Sequence, residues 1–270
     1  MKDKRVLYVS SEVIPYLPET EISSMSFEAP RMVNNNNGQI RIFMPRYGNI
    51  NERRHQLHEV IRLSGMNLVI NDLDMPLIIK VASIPKERMQ VYFIDNEDYF
   101  KRKATYADED GNLFKDNDER AIFFAKGVIE TVKKLNWAPD IIHVHGWLAS
   151  FLPLYLRNYY GNEPLFENSK IVTSIYNHGF EGTLDKKIKD KILFDAIDDD
   201  AIKLLDTPNY ENVMKVAIDN SDAVIVASSE VSKGLSSYIE EISKPVLQYV
   251  PMDETEEAYL DFYQNKVLEE

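Results

Sequence analysis

RVLYVSSEVIPYLPETEISSMSF, residues 5–27, is the stretch on which the fold turns. The apolar run from Arg5 to Val9 has the make-up of a short buried strand, and the residues after Pro18 carry a helical spacing, so the segment between them is a strand-to-helix junction. In many α/β proteins glycines at such a junction let the backbone approach a phosphate. This junction instead reads Pro18, Glu19, Thr20, Glu21, acidic and without glycine.

Outward from that stretch, apolar runs rich in Val and Ile recur as IRIFM (40–44), MQVYFI (89–94), DIIHVH (140–145), KIVTSI (170–175) and DAVIVAS (222–228). Helical patterns lie between or after several of them, at Glu119–Leu135, Trp147–Asn158 and Glu230–Ile239. Short, nearly continuous apolar strands alternating with amphipathic helices predict an α/β fold, a Rossmann-like doubly wound and mostly parallel sheet covered on both faces. Such sheets bind ligands beyond the carboxyl ends of their strands.

Residues 51–88 hold LVIND and LIIKVASI with polar punctuation and little helical period, which predicts a small antiparallel insertion. NNNNG at 34–38 is expected to end a helix, since Asn and Gly tolerate left-handed backbone. DKKIKDKILFDAIDDDAIKLLD (185–206) predicts a surface helix or helical pair. Near the end Tyr259, Phe262, Tyr263 and Val267 share one face, as in a docked helix. With no internal repeat and no clear linker, residues 1–270 are read as one domain.

Composition narrows the function classes. Hydrophobic residues make up 44% and charged residues 28%, ordinary values for a globular protein, and no apolar stretch approaches the roughly 20 residues a bilayer span needs. No membrane role is expected. The first apolar run is also far too short for a secretory signal, so a cytoplasmic location is expected. A formal net charge of -13 repels a phosphate backbone and argues against nucleic acid as a partner, while a neutral sugar is indifferent to it. The absence of cysteine excludes disulfides, thiolate nucleophiles and cysteine-ligated metals.

The candidate chemistry lies at strand ends. His145 closes DIIHVH just before a helix, where an imidazole can bond a hydroxyl or move a proton; a packed strand-end histidine is the plainer reading. His143, two residues earlier, points the same way but deeper, where core packing is its expected role. Tyr176, Asn177 and His178 close KIVTSI ahead of the glycines of GFEG, and an Asn there suits either a sugar hydroxyl or a turn. In DNDER, Asp116 or Asn117 can cap a helix; the pair is also a candidate sugar contact. Neither carboxylate spacing nor an HExxH pattern supports a metal, and no Walker, GxGxxG or GxSxG sequence occurs, so neither metal nor cofactor is expected.

Taken together, VLYVSSEVIPY, FEAPRMV with IRIFMPRYGNI, YFIDNEDYFKRKATY, DNDERAIFFAKGVIE, IIHVHGWLASFLPLYL, IVTSIYNHGFEG and MKVAIDNSDAVIVASSEV resemble, in order, the N-terminal domain of bacterial glycogen and starch synthases. These are ADP-glucose-using glycosyltransferases of GT-B architecture, two Rossmann-like domains facing across a cleft. The resemblance spans essentially the whole chain and only the first of those domains. It implies that the junction at 18–22 stands where the family has Lys-Thr-Gly-Gly-Leu, a loop that helps hold the sugar nucleotide. Here the cation and both glycines are replaced by Pro18, Glu19, Thr20 and Glu21. Gly146 stands where the family has Asp, and Tyr176 where it has His, while His145, Trp147, Asn177 and Gly182 remain.

The resemblance therefore implies a degenerate catalytic site at His145 and Asn177, sugar contacts at Trp147, Tyr176, Gly182, Asp116 and Asn117, and a disabled donor loop. Three functions follow as expectations: a glucan-binding or regulatory protein of α-glucan metabolism that is silent alone; a glucosyltransferase acting from ADP-glucose to an α-1,4-glucan once a partner supplies the donor domain; and a protein-docking module on a degenerate fold. An α-glucan or maltooligosaccharide, a protein partner or a second copy of the chain are the expected partners.

Overall fold

The run at 6–9 becomes β1 (Arg5–Ser10), in which Val6, Leu7, Tyr8 and Val9 are at most 1% exposed, the burial on both faces that a central parallel strand requires. The computed structural model describes residues 1–269. After β1 come α1 (Glu21–Asn35), β2 (Gln39–Pro45), α2 (Glu52–His55), β3 (His58–Glu59), β4 (Met66–Ile70), β5 (Leu73–Ile84), β6 (Met89–Asp95), α3 (Glu97–Phe100) and α4 (Asn117–Leu135). The second half runs β7 (Ile141–His145), α5 (Phe151–Asn158), β8 (Lys170–Ile175), α6 (Ile188–Phe194), α7 (Tyr210–Asp219), β9 (Ala223–Val226), α8 (Lys233–Glu241), β10 (Val246–Leu247) and α9 (Thr255–Phe262).

The sheet order is β10-β9-β8-β7-β1-β2-β6-β5-β3, parallel from β10 to β6, with β4 paired to β5. The chain steps from β1 to β2 in one direction and from β7 to β8 and β9 in the other. Because such crossovers are right-handed, the reversal puts α1 on one face and α5 and α7 on the other. The reversal falls between β1 and β7, where Ser10 pairs with His145. This is the doubly wound architecture that the alternation predicts.

The insertion is also as expected. β3 and β4 pair antiparallel with β5, and β5 with β6. Asn71 and Asp72, with φ of 49° and 63°, form the two-residue turn between β4 and β5. α1 ends within NNNNG, with Asn37 at φ 61°. Residues 185–206 form a pair, α6 and a kinked 3-10 segment at Asp199–Asp206, whose Ile188, Ile192, Ile202 and Leu205 are buried. α9 continues into one π turn at Tyr263–Val267, and Tyr259, Phe262, Tyr263 and Val267 are all at most 4% exposed.

Three helix boundaries differ from the sequence reading. α8 starts at Lys233 rather than Glu230, because the Ser232 hydroxyl accepts from Leu235 N (3.3 Å) and sets the cap there. α4 begins at Asn117, two residues earlier than the pattern suggested. The stretch from Trp147 splits into a 3-10 turn at Trp147–Ala149 and then α5.

Candidate functional site

The face of the sheet that α1 covers is polar at its centre. Tyr8, Ser10, His143, His145 and Ser174 all point toward it, and all are fully buried. His143 spans a network, with Nδ1 2.6 Å from the Tyr263 hydroxyl and Nε2 2.7 Å from the Ser174 hydroxyl. Tyr8 donates to Ala29 O (3.1 Å) on α1. The core-packing reading of His143 fits this geometry.

His145 lies beside it, ring centroids 3.9 Å apart. Its Nδ1 is 2.7 Å from the Tyr176 hydroxyl, and its Nε2 has no partner among the described residues. Burial lowers the His145 pKa to about 3 and pushes that of His143 well down, so both rings are neutral at pH 7. The ring is sealed beneath the surface, the arrangement of a packed strand-end histidine, and does not present its imidazole to the cleft. Tyr176, 2% exposed, likewise turns its hydroxyl inward to His145.

Gly146 explains part of the seal. Its backbone sits at φ 81°, ψ 154°, a region almost restricted to glycine, and a Cβ there would meet Ser11 Oγ at 2.5 Å. Ser11 N donates to His145 O (2.9 Å), so the end of β1 folds directly over the end of β7.

The junction after β1 is built from its own side chains. Thr20 caps α1: its hydroxyl accepts from Ser23 N (3.0 Å), while Thr20 N donates to Ser23 Oγ (2.8 Å). The Thr20 hydroxyl also donates to Glu12 Oε2 (2.7 Å), and the Tyr106 hydroxyl donates to Glu12 Oε1 (2.9 Å). Glu21, in the first turn of α1, accepts from the Ser228 hydroxyl (2.5 Å), and Ser228 Oγ accepts from Asn177 N (2.8 Å). The positive end of α1 thus faces carboxylates of the chain itself. Pro18 and Glu19 are exposed.

The remaining candidates separate into two groups. Trp147 and Gly182 line an open cleft of ≈ 600 Å³, together with Tyr106, Asn112, Phe180 and Glu181. Three of its rings form a row, with Tyr106 to Trp147 and Trp147 to Phe180 each at 4.9 Å between centroids. The Asn177 side chain is exposed at the end of β8, and Gly182, at φ 77°, has open space where a Cβ would lie. Asp116 and Asn117 are elsewhere. Asp116 occupies the cap position of α4 but makes no capping bond, because Arg102 takes both its oxygens (2.8 and 2.6 Å). Asn117 is 1% exposed, accepting from Arg120 Nη1 (2.6 Å) and donating to Tyr106 O (2.8 Å). Neither lines the cleft.

Glu12, Tyr106 and Ser228 are the site residues that sequence reasoning did not single out. All three lie inside quoted stretches, VLYVSSEVIPY, YFIDNEDYFKRKATY and DAVIVAS, but nothing local marks them, since their partners are 8 to 207 residues away. Among the described residues, no three His, Asp or Glu side chains converge as a metal ion would require. Among the same residues, no helix is long and apolar enough to cross a membrane.

Residues 5–253 match the starch synthase catalytic domain family. The chain belongs to that family. It is 35% identical over 228 residues to the glycogen synthase of Chlorobium luteolum, covering 84% of this chain and 46% of that protein. With the glycogen synthase of Chlorobium phaeobacteroides it is 41% identical over 190 residues, 70% of this chain and 39% of the relative. The chain spans about half the length of the relatives it matches, 46 to 48% of several of them. Its fold is that of the catalytic domain of starch synthase IV from Arabidopsis thaliana, solved bound to ADP and acarbose. The TM-score is 0.73 at 18% identity, over 94% of this chain and 53% of that one. The doubly wound sheet is therefore a GT-B domain of the starch synthase family.

Proposed function

We propose that this starch synthase family domain binds α-glucan in the open cleft and does not transfer glucose on its own. One observation supports the second half most directly: the N-terminus of α1 is capped by Thr20 and faced by the carboxylates of Glu12 and Glu21. A diphosphate brought to that end would meet like charge, and the backbone cannot approach it closely without glycine. The half-buried rings of Tyr106 and Phe180, backed by Trp147 at 2% exposure and set beside the exposed Asn112 and Glu181, favour the first half, since apolar surface beside polar groups suits a neutral sugar. Such a protein would act in α-glucan metabolism, in the cytoplasm, as a glucan-binding or regulatory component.

Calorimetric titration with maltoheptaose and with ADP-glucose tests this. Binding of the glucan and not of the nucleotide sugar is expected. Glucose transfer from ADP-glucose to a glucan primer by the pure protein would refute it. A second reading is favoured by the chain's spanning about half of its relatives' length: glucose transfer to an α-1,4-glucan when a donor half is supplied by another polypeptide segment. Activity appearing on addition of the second half of a relative would select it. If neither ligand binds, docking of a protein on the cleft face becomes the better account.

A further inference from the structure

The cleft has two walls from distant parts of the sequence, one at Tyr106–Leu113 and one at Gly179–Thr183. The near wall is bonded behind the cleft to Asn117–Arg120, the first turn of α4, and the far wall leads into α6, whose Lys191 reaches the same turn. Asn117, buried, donates to Tyr106 O (2.8 Å) and is held by Arg120 Nη1 (2.6 Å), while Arg120 Nε donates to Tyr99 O (2.8 Å). That secures the near wall. On the other side, Lys191 of α6, its side chain 6% exposed, reaches Asp118 Oδ2 at 2.6 Å and Glu119 Oε1 at 2.9 Å. Lys191 Nζ also lies 3.7 Å from Asp185 Oδ2, two residues past the end of the far wall. A buried cation shared among three carboxylates is stiff, because moving it away leaves charge uncompensated in a low-dielectric interior.

We propose that the first turn of α4 fixes the separation of the two cleft walls, with Lys191 as the positioning residue that ties the far wall to it; the identity of the ligand, an α-glucan, rests on the function proposed above. The same helix supplies a control. Lys126, about 13 Å further along α4 by helical rise, makes an equally buried pair with Asp195 at the end of α6 (2.7 Å). It joins the same two helices without touching the first turn.

The chain has no cysteine, so Asn112→Cys and Glu181→Cys, one exposed residue on each wall, give a uniquely labelled pair for electron–electron distance measurement in the full chain. A single narrow distance is expected in this parent and in Lys126→Met, a broadened or displaced one in Lys191→Met, and the narrow one again in Lys191→Arg. In parallel, the maltoheptaose dissociation constant of the unlabelled chain should rise at least tenfold in Lys191→Met and stay within twofold in Lys126→Met. Should Lys191→Met not fold, Glu119→Gln carries both measurements with the same expected direction. Equal distance distributions in Lys191→Met and Lys126→Met overturn the positioning role. Failure of the parent to bind maltoheptaose overturns the glucan reading alone, and the distances then decide the inference by themselves.

Discussion

The Tyr176 hydroxyl lies 2.7 Å from His145 Nδ1 in a part of the protein that water does not reach. The partner of His145 thus comes from the end of β8, at a position where the family resemblance implies another histidine. Tyr176→Phe removes the bond and leaves both nitrogens of a buried ring unpaired. A loss of about 1–3 kcal/mol is expected in denaturant unfolding, and an unchanged midpoint would show that the bond carries no weight.

His143 and His145 together set an acid limit. Both are held neutral when folded, below the usual value near 6.5, so the unfolded chain binds more protons. Their contribution is fully present above about pH 6.5 and is lost as pH falls toward about 3 for His145. Unfolding free energy measured at pH 7 and at pH 5 should be lower at pH 5. A flat or rising profile on acidification contradicts the neutral assignment.

Introducing at position 146 the acidic residue that the family resemblance implies there should damage the domain. Gly146→Asp puts a side chain at φ 81° and brings its Cβ to 2.5 Å from Ser11 Oγ. Backbone strain alone costs about 1–3 kcal/mol at such positions. Thermal unfolding of Gly146→Ala and Gly146→Asp should show both destabilised; a melting temperature within a degree or so of the parent, where about 1 kcal/mol shifts it roughly 2–4 °C, would mean the turn relaxes freely.

Asp118 and Lys191 form one ion pair whose two ends should respond unequally. Burial lifts the Asp118 pKa from 3.8 to about 6, outweighing the pull of Lys191 and of the Glu119 backbone N–H. Because the folded value is the higher one, the group supports the fold at pH below about 4, and that support is gone once pH rises past about 6. At pH 7.5, Asp118→Asn should therefore change stability by less than about 1 kcal/mol or improve it, whereas Lys191→Met, which strands carboxylates, should cost about 3–5 kcal/mol. Equal losses in urea titrations would reverse this assignment.

Much of the fold is legible in the sequence because it rests on local pattern. Runs such as KIVTSI and DAVIVAS declare buried strands by composition alone, and NNNNG declares a helix end by backbone tolerance. The site is less legible. That Pro18–Glu21 cannot cradle a phosphate follows from residue types, but that Thr20 reaches Glu12, or Ser228 reaches Glu21 across 207 residues, depends on how the sheet closes. His145 illustrates the same limit. Its place at a strand end is plain from DIIHVH, while its burial depends on Gly146, Ser11 and Tyr176 acting together.

The tail of the described chain has a practical bearing on how this protein is cut for experiments. The family match stops at residue 253, yet Tyr259, Phe262, Tyr263 and Val267 beyond it are interior residues, and Tyr263 supplies the hydroxyl that pairs with His143. A recombinant piece trimmed at the homology boundary would bare the polar heart of the sheet and strip a roof from α1, and its insolubility would say nothing about the biology of the intact domain.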